Sequence, residues 1–103
     1  MADKLGILVS SDKHLDHIVG LTKAAIDKGK EVHVFFTGEG VKLCPDPKAQ
    51  ELVKAGAKVS LCDKTYQGLG LNKEHGDQIE GMEHGSQDNN ADIIEEVDRY
   101  VVF

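Results

Sequence analysis

Short apolar runs recur along this chain with room for about one helix between neighbours, and that alternation constrains the fold more than any other feature. The runs are Leu5-Gly6-Ile7-Leu8-Val9, Val32-His33-Val34-Phe35-Phe36, Lys58-Val59-Ser60-Leu61-Cys62 and Tyr100-Val101-Val102-Phe103. Nearly continuous apolar runs of this length suit strands buried on both faces, as in a parallel sheet. After the first run, Leu15, Ile18, Val19, Thr22, Ala25 and Ile26 recur at helical spacing. Ser10, Ser11 and Asp12 offer caps for that helix, and Gly29 offers a stop. Asp46-Pro47 predicts a second helix, with Asp46 as cap and Pro47 at the first helical position. Ala49, Leu52 and Val53 give its buried face, and Gly56 ends it.

The second half is patterned more weakly. Lys64 to Leu71 predicts a short helix, limited by Gly68 and Gly70. Asn72 to Asp77 reads as a polar loop, and Ile79-Glu80-Gly81-Met82 as a short fourth strand. Ser86 to Asn90 reads as a turn, and Ile93, Ile94 and Val97 mark a final helix. Strands alternating with helices imply parallel pairing through right-handed crossovers, with helices on both faces. The expected fold is a compact three-layer α/β domain, broadly flavodoxin-like, with a mostly parallel sheet of four or five strands. It should occupy residues 1–103 as one domain.

A chain of 103 residues buries a modest core and needs neither metal nor disulfide to fold. Its net charge of −6 argues against nucleic acid and anionic membrane as partners. No apolar stretch is long enough to span a bilayer. Met1-Ala2-Asp3-Lys4 lacks the basic start of a signal peptide. A cytoplasmic protein with reduced thiols is the expectation.

Parallel strands bring their carboxyl ends to one rim, where ligands and chemistry collect in open α/β sheets. That rim should hold Ser10 and Ser11, the segment Thr37 to Cys44 with Gly38 and Gly40, and Cys62 followed by Lys64 and Gly68. Cys62 is the leading candidate, because a thiolate is a nucleophile and can carry a sulfane sulfur. Lys64 and a helix start favour the thiolate, while Asp63 opposes it. The competing reading is a small buried residue that ends a strand. Cys44 either resolves an oxidised Cys62 or packs against its loop.

Other constellations carry less. His14 and His17 stand at i and i+3, with His33, His75 and His84 elsewhere, but no metal motif accompanies them. They read as solvated polar residues, and neither metal nor cofactor is expected. Gly38-Glu39-Gly40 lacks the further glycine of a dinucleotide fingerprint and the lysine of a P-loop, so it reads as a backbone turn. Glu83-His84 reads as polar loop rather than an acid–base pair. Asp92, Glu95, Glu96 and Asp98 read as a solvated helix face.

Three segments resemble the DsrE/DsrF-like sulfur-relay family, including its TusD-like members. They are Ile7 to Ser11 with the later Val34 to Leu43, then Val59-Ser60-Leu61-Cys62 with Gly68 six residues on, and the tail Val97 to Phe103. The resemblance implies a DsrE-like fold and a homo- or hetero-oligomer, often a trimer or hexamer. It also implies a persulfide on Cys62, received from a donor protein and passed to an acceptor thiol. The chain departs from the pattern at Gln67, where relay members often carry an arginine.

Overall fold

The computed structural model describes residues 4–76, 78–85, 93, 95 and 97–103. Five parallel strands form one sheet: β1 (Lys4–Val9), β2 (Glu31–Phe36), β3 (Lys58–Cys62), β4 (Glu83–Gly85) and β5 (Arg99–Val102). Their order is β4-β3-β2-β1-β5. Between them run the helices α1 (Leu15–Asp27), α2 (Pro47–Lys54), α3 (Asp63–Gly68) and α4 (Leu71–His75), and a 3-10 helix, Gly38–Leu43.

This order explains which face each element covers. From β1 to β4 the chain steps in one direction, so right-handed crossovers put their connections on one face. The step from β4 back to β5 runs the other way and crosses the opposite face. The first face carries Leu5, Ile7 and Val9 of β1, Val32, Val34 and Phe36 of β2, and Val59 and Leu61 of β3. These pack with Leu15, Ile18 and Val19 of α1 and Ala49 and Leu52 of α2. The second face carries Phe35 and Cys62, packed with Ile93, Leu8, Val97 and Tyr100. Helical contact on both faces makes the fold three-layered, as the alternation predicts.

Several local expectations change. The cap of α1 is His14, which makes no side-chain cap bond, while Ser11 Oγ accepts the Lys13 amide at 3.3 Å. Asp46 caps α2 as expected, its Oδ1 accepting the Lys48 amide at 2.8 Å. The turn after β2 is a 3-10 helix. Residues 72–75, read as loop, belong to α4, which runs between Gly70 and Gly76, both at positive φ. The fourth strand is Glu83–Gly85 rather than the segment from Ile79 to Met82, whose Ile79 and Met82 instead plug the main core. The turn expected at Ser86 to Asn90 lies outside the described residues. So do Ile94 of the expected last helix and Asp92 and Glu96 of the acidic run. Val97 donates its amide to the Ile93 carbonyl at 3.1 Å, one helical turn. Asp98 is not simply solvated, since its Oδ2 accepts the Lys4 amide at 2.9 Å and ties β1 to β5.

Gly40 shows how tightly the 3-10 helix sits on the sheet. A Cβ there would stand 2.3 Å from the Val9 carbonyl oxygen, so only glycine permits that approach.

Candidate functional site

Register defines the rim. Val9, Phe36, Leu61 and His84 pair in one row across four strands. The next residues along those strands are Ser10, Thr37, Cys62 and Gly85. The sequence-based rim therefore assembles at the carboxyl edge. Ser10 donates its amide to the Phe103 carbonyl at 2.8 Å and its hydroxyl to the same oxygen at 3.1 Å. Thr37 donates its amide to the Val9 carbonyl at 2.9 Å and opens the 3-10 helix. Gly38 takes φ 53°, a left-handed conformation glycine adopts readily. Lys64 is exposed on α3, and Gly68 ends α3 with open space around it.

Cys62 ends β3 and is the N-cap residue of α3. Its thiol is free, and the residue is 8% exposed. Alternation along β3 turns it to the second face, beside Phe35 and Ile93. Cys44 follows the 3-10 helix, is free and fully buried, and belongs to the main core of the first face. Burial pushes its thiol far above the ordinary range. The structure thus places the two thiols in separate apolar clusters on opposite faces, an arrangement that does not support pairing them as attacking and resolving cysteines.

Asp63, next to Cys62 in sequence, anchors a hydrogen-bonded cluster that the sequence does not announce. The sequence places His84 in polar loop, yet its side chain is 5% exposed. His84 Nδ1 meets Asp63 Oδ1 at 2.8 Å. Its Nε2 accepts the Ile79 amide at 2.8 Å, so Nε2 carries no proton and Nδ1 is the donor. Gln67 Nε2 donates to the other carboxylate oxygen, Asp63 Oδ2, at 2.7 Å. The Tyr66 ring stands edge-on to His84, with centroids 4.9 Å apart, and its hydroxyl donates to the Gly76 carbonyl at 2.7 Å. Tyr66 is fully buried. Gln67 is exposed, and its amide is spent on Asp63. A histidine one position before a glycine, in a three-residue strand, gives little sequence signal. Only its register partner, Leu61, shows that it points inward.

A cleft of about 360 Å³ opens at the start of α1, lined among others by His14, Asp16, His17, Asp46 and Lys48. Lys48 Nζ donates to Asp16 Oδ1 at 2.8 Å, and this bond holds the Asp16 carboxyl below its usual range. His14 and His17 stack with centroids 6.2 Å apart. Among the described residues no group of three or more His, Cys, Asp or Glu is placed to hold a metal ion. Nor is any described helix long and apolar enough to cross a membrane. His33, read as solvated, is buried in β2.

The chain is similar in structure to the ychN protein from E. coli, with a TM-score of 0.80 and 16% identity over 100% of both chains. It is also similar to a conserved protein of unknown function from Bacteroides thetaiotaomicron. That match has a TM-score of 0.77 and 15% identity over 98% of this chain and 95% of the other. At these identities the likeness shows the fold. No curated protein matches the sequence. The profile of the DsrE/DsrF-like family matches residues 3–103, essentially the whole chain. The chain belongs to the DsrE/DsrF-like family.

Proposed function

We propose that this protein is a sulfur carrier, with Cys62 as the residue that holds sulfane sulfur. The observation that carries the reading is the position of Cys62, a free thiol at the carboxyl end of β3 and the start of α3 in a family member. The Cys62 thiolate attacks the terminal sulfur of a donor protein's persulfide. A sulfur–sulfur bond forms to Cys62, the donor's own bond breaks, and the donor leaves as a thiolate. An acceptor thiolate then attacks the outer sulfur and releases Cys62. Sulfur moves between thiols without an external oxidant. The site rim of Ser10, Ser11, Thr37, Gly38, Gly40, Lys64 and Gly68 frames this chemistry, and Cys44 serves packing.

The reading includes assembly as a homo-oligomer, a trimer or hexamer. Val102, 58% exposed on the edge strand β5, suits contact with a second copy. It also includes a cytoplasmic setting, where thiols stay reduced.

Mass spectrometry after incubation with a persulfide donor tests the central step. Wild type is expected to gain the mass of one sulfur atom on the Cys62 peptide, and Cys62→Ser to gain none. Equal uptake by the variant would sink the proposal. Light scattering on the same sample is expected to give a trimer or hexamer, and a monomer would remove that part.

A second reading has its own support, because Cys62 is largely covered by Phe35 and Ile93. It makes the chain a non-catalytic oligomeric binding module of the same fold. A Cys62 that resisted alkylation in the folded protein would favour it.

A further inference from the structure

Asp63 is the one carboxylate adjacent in sequence to the candidate sulfur carrier, and a negative charge free to approach that sulfur would oppose its thiolate. Both oxygens of this carboxylate are engaged. Oδ1 is held by His84 Nδ1 at 2.8 Å, and Oδ2 by Gln67 Nε2 at 2.7 Å. His84 pairs in register with Leu61, and Cys62 with Gly85. Paired residues of parallel strands share a face, so His84 stands on the Leu61 face and Cys62 on the other. The Asp63 carboxylate is thus drawn toward the face that Cys62 does not occupy. The imidazole that draws it is fixed in turn. The Ile79 amide sets its tautomer, and the Tyr66 ring packs edge-on against it.

We propose that His84, assisted by Gln67, is a positioning residue for Cys62, clamping the Asp63 charge away from the sulfur. This rests on the reading of Cys62 as the reactive thiol. It gives Gln67 a task of its own: the neutral amide restrains an anion, where an arginine would supply a cation.

Two substitutions separate the clamp from mere support of the fold. In His84→Asn the amide nitrogen falls where Nδ1 was and keeps the bond to Asp63. In His84→Gln the amide oxygen falls where Nε2 was, keeping the Ile79 bond and losing the Asp63 bond. Iodoacetamide alkylation of the folded protein, read at the Cys62 peptide across pH, is the measurement. His84→Gln is expected to slow alkylation at neutral pH by roughly three- to tenfold, with its pH–rate profile moved to higher pH. His84→Asn is expected to stay near wild type. Gln67→Ala, at an exposed position that keeps the fold, should slow the reaction by about two- to threefold in the same sense. Asp63→Asn placed on His84→Gln removes the charge and should restore the rate.

A His84→Gln rate equal to wild type would overturn the clamp. So would a His84→Asn rate as slow as His84→Gln, or a double variant that Asp63→Asn does not rescue. Alkylation needs no persulfide, so the two proposals fail separately. If wild type takes up no sulfane sulfur while this series holds, the carrier reading falls and the clamp stands. If uptake is seen and the series is flat, the clamp falls and the carrier reading stands.

Discussion

The two faces of the sheet each hold one cysteine, and they treat it differently. On the first face Cys44 sits in a core built by α1, α2 and three strands, fully buried and with its thiol pushed far up by desolvation. On the second face Cys62 belongs to a smaller cluster, at a point where a strand becomes a helix. The residue type and the low exposure are shared. Burial alone does not distinguish the two thiols; the backbone around them does. Cys44 follows a 3-10 helix pressed onto β1, whereas Cys62 begins a short helix with open space at its far end.

The contrast can be broken first at its glycines. Gly40→Ala drives a Cβ to 2.3 Å from the Val9 carbonyl oxygen, and the 3-10 helix must lift. A loss of about 3 kcal/mol is expected by urea unfolding. A loss under about 0.5 kcal/mol would mean that the first face is not tightly packed there.

The next effect is alkaline. The folded-state ionisation of Cys44 lies above its unfolded value of about 9. The unfolded thiol therefore loses its proton first, and stability present below about pH 9 falls as pH rises. The slope from this group is about 1.4 kcal/mol per pH unit above that point. Cys44→Ala should flatten the fall measured between pH 9 and 10.5. Equal slopes in wild type and Cys44→Ala would contradict the core assignment.

Smallest is Gly68→Ala. Gly68 is exposed at the end of α3, and a Cβ there meets nothing within 4 Å. The change is expected to raise stability by about 0.5 kcal/mol, visible as a small rise in Tm. Destabilisation would show that the Cys62 side needs this glycine after all.

How much of this was legible follows from where the apolar signal is dense. β1, β2 and β3 are buried on both faces, so their runs stand out, and α1 and α2 carry clear periodicity. The parallel rim followed from those elements alone. β4 has three residues, Glu83–Gly85, with no apolar side chain, so its place beside β3 is a matter of register. Without it His84 looks like loop, and the cluster around Asp63 cannot be inferred. Tyr66 was equally hidden, since one aromatic ring between glycines and polar residues marks no face. Cys62 was legible as a position. The face it occupies was not, because the parity of β3 has meaning only once the crossovers are assigned.

The return of the chain to β5 also bears on how the domain is made. Lys4 and Asp98 are bonded across 94 positions, and closing so long a loop is costly in chain entropy. The neighbours of Cys62 span the same interval. Phe35 and Leu8 precede it in synthesis, whereas Ile93, Val97 and Tyr100 follow it by three dozen residues or so. During translation β3 is complete well before its cover exists. At that stage Cys62 lacks both its register partner Gly85 and its cover Ile93, and a nascent chain presents to its surroundings a thiol that is only 8% exposed in the finished domain.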